Sequence, residues 1–286
     1  MSTVYRAFNQ EALDKQYNAQ ATVGDISPFI KVYTAESKNA RSSLLFEDSL
    51  SFGMSPEEIL DLFPAGEGAP LLIFIHGGYW RALSKNESSF MAPCMVGLGL
   101  ATASVNYTLR PQATLDEIVA EVRRAISWLY RQGGQYGYDP ERMFIAGSSA
   151  GGHLAGMAIS RDWHEEFGVP LDVIKGGILL SGLYDLEPVR LSYANEWMGL
   201  DESSAYRNSP LFQLPESGCP LILSYGGSET EEFKRQSEDY ASAWQSAGFE
   251  AESFEVSECN HFDIPLELTK SSSVLTSKLI GLIERV

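Results

Sequence analysis

The stretch Gly147-Ser148-Ser149-Ala150-Gly151 lies between the apolar run Met143-Phe144-Ile145-Ala146 and a helix-compatible segment beginning His153-Leu154-Ala155. A serine on a sharp strand-to-helix turn sits in a strained backbone conformation that crowds out neighbouring side chains, which gives Gly147 and Gly151 their purpose. Such a turn lifts the Ser149 hydroxyl clear of the sheet. It also aims the first free N–H groups of the following helix, that of Ala150 first, at whatever the hydroxyl attacks. The chemistry open to this arrangement is nucleophilic attack on a carbonyl.

A serine hydroxyl is a poor nucleophile without a base. The chain has four histidines. His153 is one turn along the same helix and is carried away from the hydroxyl. His164, in Arg161-Asp162-Trp163-His164, reads as surface. His76 precedes a double glycine. His261, in Cys259-Asn260-His261-Phe262-Asp263, stands in the order serine, acid, histidine of α/β-hydrolases and is the expected general base. Its orienting carboxylate is Glu229 or Asp185, each placed after a strand. Glu229 is favoured because its strand directly precedes the histidine strand, and Asp185 then reads as a loop or cap residue. Glu231 and Glu232 complement the dipole of the next helix. In His76-Gly77-Gly78-Tyr79-Trp80, the Gly77 and Gly78 amides, with that of Ala150, can form an oxyanion hole, while Tyr79 and Trp80 border the site and can stack on an aromatic substrate.

These residues need a scaffold that gathers them. Leu71-Leu72-Ile73-Phe74-Ile75 is a continuous apolar run, as in a strand buried on both faces. Similar runs cover residues 101–107, 143–146, 177–182 and 220–225, with an alternating strand at 252–256. Between them, residues 86–97, 114–132, 150–160, 231–247 and 266–285 read as helices, the second carrying a 3.6-residue apolar period. Asp139-Pro140-Glu141-Arg142 reads as a turn, and residues 42–52 and 57–63 as strand-like. Strands alternating with helices predict an α/β fold with a mostly parallel sheet flanked by helices. Ligands bind such sheets beyond the carboxyl ends of their strands, so His76, Ser149, Glu229 and His261 are expected to share one rim. Residues 1–40 are expected to form an N-terminal cap or packing segment with a helix at 6–16, alternatively a lid over a pocket. Residues 185–218 read as a loop-rich insertion near the site within a single domain spanning 1–286.

Composition narrows the function. A formal net charge of −17 speaks against nucleic acid or an anionic membrane as partner. The first ten residues carry no apolar run of the kind a secretory leader needs. Three scattered cysteines suit a reducing, cytoplasmic setting and offer neither a disulfide frame nor a C-x-x-C metal pair. No metal-ligand spacing is present among the histidines, and the chemistry outlined calls for no cofactor. The expected partner is a small-molecule substrate, and a homodimer is compatible with the sequence.

The chain resembles the kynurenine formamidase (arylformamidase) type of α/β-hydrolase, related to hormone-sensitive-lipase-like esterases. The resemblance rests on His76-Gly77-Gly78-Tyr79-Trp80, where the broader esterases more often carry a third glycine, and on Gly147-Ser148-Ser149-Ala150-Gly151-Gly152-His153-Leu154. It extends to Leu13-Asp14-Lys15-Gln16-Tyr17, Ser181-Gly182-Leu183-Tyr184-Asp185-Leu186, Glu232-Phe233-Lys234-Arg235-Gln236-Ser237 and Asn260-His261-Phe262-Asp263. It implies hydrolysis of N-formyl-kynurenine or a related aryl amide or ester through an acyl-serine, with Ser149, Glu229 and His261 at the triad positions. The family's acid is usually aspartate, and here it is glutamate. A general short-acyl carboxylesterase and a non-catalytic small-ligand receptor of the same fold are the competing readings.

Overall fold

The computed structural model describes residues 2–286, so Met1 lies outside it. The strands are β1 (Glu47–Ser51), β2 (Ile59–Phe63), β3 (Ala69–Ile75), β4 (Ala101–Val105), β5 (Tyr138–Ser148), β6 (Gly176–Leu180), β7 (Leu221–Gly226) and β8 (Ala251–Val256). They form one sheet in the order β1-β2-β4-β3-β5-β6-β7-β8. The β1–β2 and β2–β4 pairs are antiparallel, and from β4 to β8 all pairs are parallel. In β3, Leu71, Ile73 and Ile75 join the apolar layer on one face, while Leu72 and Phe74 join the layer on the other. A strand covered on both sides has no solvent face to mark with polar residues, which is why it reads as an unbroken apolar run.

The helices are α1 (Gln10–Gln16), α2 (Ser27–Ser43), α3 (Ala92–Gly97), α4 (Leu115–Tyr136), α5 (Ala150–Ala158), α6 (His164–Phe167), α7 (Glu187–Leu191), α8 (Asn195–Met198), α9 (Glu202–Arg207), α10 (Glu231–Ser246) and α11 (Val274–Arg285). Thr114 and Glu117 close a capping box on α4. Asn9 caps α1 through the Ala12 N–H, so that helix starts four residues later than the expected 6–16. The 17-residue α2 is not legible from periodicity, because it buries only Tyr33, Ser37 and Ala40.

Three expectations are corrected. Asp139-Pro140-Glu141-Arg142 lies inside β5, not in a turn before it. The pairing jumps from Ala69–Tyr138 to Leu71–Met143, so these residues bulge out of the ladder, with Asp139 Oδ1 accepting the Glu141 N–H. The terminal helix is two pieces, a 3-10 segment Ile264–Thr269 and α11, whose N-cap Ser273 accepts from Thr276 N. Likewise residues 86–97 divide into a 3-10 turn Lys85–Glu87 and α3. Residues 185–218 hold α7 to α9, as the loop-rich reading implies. Among the described residues no helix is long and apolar enough to cross a membrane.

His164, read as surface, is buried and stacks on Trp163 with centroids 4.3 Å apart. His153 is wholly buried, its Nε2–H donating to the Asn208 carbonyl at 2.7 Å. Burial lowers the His153 pKa from 6.5 to about 4, and that of His76 to about 4 as well. Below its ordinary pKa an unfolded histidine takes up a proton that the folded ring refuses. Stability present above pH 6.5 is therefore lost as the pH falls toward 4, on the order of 3 kcal/mol per ring. Thermal melts should show Tm dropping between neutral and mildly acid pH, with a shallower drop in His153→Gln. An identical slope in the variant would clear His153 of that role.

Candidate active site

Strand β5 delivers Ser149 into a backbone conformation of φ 58°, ψ −120°, which a non-glycine residue enters only under strain. The surroundings leave no room for side chains. A Cβ on Gly151 would lie 2.0 Å from the Ile75 carbonyl oxygen, and one on Gly147 would lie 2.2 Å from that of Gly151. With α5 starting at Ala150, the amide after the serine is one of the helix's unspent N–H groups.

The strands to one side supply the other two groups. Glu229 follows β7 and His261 follows β8, which pair in parallel up to Gly226–Val256. His261 Nδ1–H donates to Glu229 Oε2 at 2.7 Å, which leaves Nε2 as the basic nitrogen. The second carboxylate oxygen, Oε1, accepts from Ser181 Oγ at 2.5 Å and from the Gly226 N–H at 2.7 Å. Three donors thus fix the glutamate, and both members of the pair are buried. The Phe233 ring packs on the imidazole with centroids 4.6 Å apart. Asp185 is elsewhere engaged: its Oδ2 accepts from Tyr5 and its Oδ1 from the Glu187 N–H at the start of α7. The structure brings Glu229, not Asp185, against the ring.

The double glycine follows β3, whose last residue Ile75 pairs with Gly147. Gly78 has φ 102°, and a Cβ there would lie 2.1 Å from the Ala82 carbonyl oxygen, so only glycine fits. Among the described residues neither the Gly77 nor the Gly78 N–H donates to a backbone carbonyl. The carbonyls of the same peptides are held. Tyr107 Oη donates to the His76 oxygen at 2.9 Å and reaches the Gly77 oxygen at 3.4 Å, while His76 Nδ1–H donates to that Gly77 oxygen at 2.8 Å. The His76 and Tyr107 rings stack at 4.1 Å, nearly parallel. A trans peptide directs its N–H opposite to its C=O. Pinning these carbonyls therefore turns the Gly77 and Gly78 donors away from Tyr107, on a loop that borders the serine. Desolvation keeps His76 neutral, so it acts here as a clamp.

Ser149, His261, Gly77, Gly78 and Tyr79 line one cavity of about 370 Å³. No hydrogen bond joins Ser149 to His261 among the described residues; such contacts often tighten only when substrate enters. Together these groups can attack a carbonyl, shuttle a proton and receive a negative oxygen. Trp80, expected at the border, is instead fully buried edge-on against His153, with ring centroids 5.0 Å apart. Tyr79 and Trp80 both adopt positive φ, and this reversal of the chain turns the indole into the core. The N-terminal segment contributes Asn18, Gln20, Ile26, Ile30 and Tyr33 to the wall. Tyr79 Oη ties that segment down by donating to the Tyr17 carbonyl at 2.8 Å. Tyr33 and Phe90 also line the wall and went unmarked in the sequence, since wall residues carry no spacing signal. Arg81 was discoverable, directly after the Tyr-Trp pair.

Comparison with known proteins bears on this site. Kynurenine formamidase of Danio rerio is 32% identical over 293 residues, covering 98% of each chain. The chain belongs to the kynurenine formamidase family. Kynurenine formamidase of Salmo salar is 31% identical, with 96% of this chain and 97% of that one covered. A BD-FAE family profile matches residues 60–172, which include the double glycine and Ser149. A solved structure from Silicibacter sp. superposes with TM-score 0.80 at 26% identity, covering 93% of this chain and 97% of that one. An esterase of Pyrobaculum calidifontis superposes with TM-score 0.76 at 18% identity over 96% and 97% of the two chains, a likeness of fold alone. The α/β-hydrolase architecture is thus shared, and this kynurenine formamidase relative is a hydrolase.

Tyr107→Phe removes the hydroxyl that holds the two carbonyls. Turnover of an acyl substrate should fall about tenfold, with KM nearly constant and the fold intact by circular dichroism. An unaltered kcat would show that the clamp is dispensable.

Proposed function

We propose that the protein hydrolyses small aryl formamides of the N-formyl-kynurenine type through a formyl-serine intermediate. The observation that carries this reading is the buried Glu229–His261 pair, 2.7 Å apart, opening on the cavity that holds the strained Ser149. The near full-length relation to kynurenine formamidases supports this substrate class. In the proposed sequence Ser149 Oγ attacks the formyl carbon while His261 Nε2 takes its proton. Glu229 stabilises the imidazolium that forms, and the Gly77, Gly78 and Ala150 amides receive the oxyanion. Collapse expels the aryl amine, which takes the proton from His261. Water, deprotonated by the same nitrogen, then attacks the formyl ester and releases formate and free serine. The reaction calls on no metal or cofactor.

The proposed setting is the cytoplasm, with a small-molecule substrate as partner and a homodimer compatible with the reading. The three cysteines are free thiols, which a reducing compartment preserves.

Formate release from N-formyl-kynurenine, set beside hydrolysis of p-nitrophenyl acetate, tests the substrate class. The formamide should be the better substrate by kcat/KM, and the reverse order would make the protein a general carboxylesterase. Ser149→Ala should lose at least about a thousandfold in kcat and all labelling by a fluorophosphonate probe, while melting near the parent temperature. A serine-free variant that still turns over would end the mechanism. Glu229→Gln should cost about a hundredfold or more, and Asp185→Asn little, since only the first touches the imidazole. The opposite ranking would transfer the acid's role to Asp185.

A further inference from the structure

Arg81 is the one permanently charged side chain on the wall of the Ser149 cavity, among the described residues, and no aspartate or glutamate lines it. The chain as a whole carries 38 acidic against 21 basic residues. Arg110, Arg123, Arg131 and Arg142 also lack a carboxylate but donate to backbone carbonyls, whereas the Arg81 guanidinium has no hydrogen bond among the described residues. Arg41, Arg124, Arg190, Arg207, Arg235 and Arg285 all hold acidic partners. Arg81 forms no ion pair among the described residues. Its guanidinium carbon lies 3.6 Å from the centroid of the Trp197 ring. A cation on an aromatic face keeps its N–H fork free for an in-plane acceptor.

The platform beneath it is rigid. Trp197 Nε1 donates to the Tyr79 carbonyl at 3.2 Å, and its ring meets those of Tyr79 and Tyr193 edge-on at 5.4 Å each. Asp14, which holds Tyr193 by accepting its N–H at Oδ1 together with Gln10 Nε2, forms no ion pair with Arg81. The Arg81 N–H donates to the Gly78 carbonyl at 3.1 Å, so one tight turn carries both the guanidinium and the glycine amides.

We propose that Arg81, preorganised on Trp197, is a specificity-determining residue that binds a carboxylate on the substrate's non-reacting end. The site thereby selects aryl substrates that bear a carboxylate over those that lack one. This rests on the reading of the cavity as the hydrolytic site. Binding energy from the remote carboxylate then orients the scissile carbonyl over Ser149, because both ends are held by a single turn. Arg81 is an exposed residue, so the preference should shrink as salt is added.

Two measurements on the full chain decide it. The first compares kcat/KM, by formate release, for N-formyl-kynurenine and its methyl ester, which differ in the carboxylate alone. The acid should be preferred about tenfold or more, Arg81→Gln should abolish that ratio, and Arg81→Lys should keep part of it. The second needs no turnover. Calorimetric titration with 4-phenylbutyrate and with neutral 4-phenylbutyramide should show the carboxylate binding about tenfold tighter to the parent and equally to Arg81→Gln. Equal binding by the parent, or a preference that survives in Arg81→Gln, overturns the proposal. If the parent releases no formate from either compound, the formamidase reading falls, while the titration still establishes whether Arg81 binds a carboxylate.

Discussion

The backbone of α5 crosses the end of β3 with no space for a side chain between them. Everything at the site follows from that approach. Gly151 faces the Ile75 carbonyl so closely that any Cβ would collide with it. The helix start is thereby fixed against the strand end, and Ser149 is forced into its unfavourable dihedral angles. The same proximity puts the loop after β3 beside the serine: a Cβ on Gly77 would fall 2.8 Å from the Ser148 oxygen. Strain at one residue is sustained by the two apolar layers that hold β3 and β5 in register.

The glutamate in the acid position shows how a fold accommodates a longer side chain. Its extra methylene must be absorbed without loosening the imidazole. Two donors do this, one a hydroxyl from the end of β6 and one a backbone amide from β7. Ser181 itself takes a positive φ of 51°, a second non-glycine residue bent to serve the site. The carboxylate is held from one oxygen and presents the other to the ring. Rigid support of this kind keeps the tautomer of His261 in one form.

How much of this was legible in the residues depends on what each position must satisfy. The strands beneath the site could be read because burial on both faces demands uninterrupted apolar residues, as in 71–75. The Ser149, Glu229 and His261 positions could be read from residue type and chain order, because parallel strands set their loops on one edge. Chain order favours Glu229 over Asp185, because its strand directly precedes the histidine strand, and the 2.7 Å contact with His261 agrees. Helix α2 escaped because a helix that buries three residues in seventeen has almost no apolar stripe. Trp80 was misplaced because a motif fixes neighbours in sequence but not the direction of their side chains, and two successive positive φ values reverse the chain there. The division of the last helix was masked by Ser273, whose capping role is invisible unless the residues before it are known to be non-helical.

The wall of the cavity is drawn from opposite ends of the polypeptide. Tyr33 donates its hydroxyl to the carbonyl of Phe262, a separation of 229 residues. A chain emerging from the ribosome therefore makes α2 well before the loop after β8 that carries His261. The nascent protein can hold no closed chamber, and assembly must be dominated by distant pairings, which slows folding relative to a helical bundle of equal length. Hydrolytic competence waits for that late loop to be made.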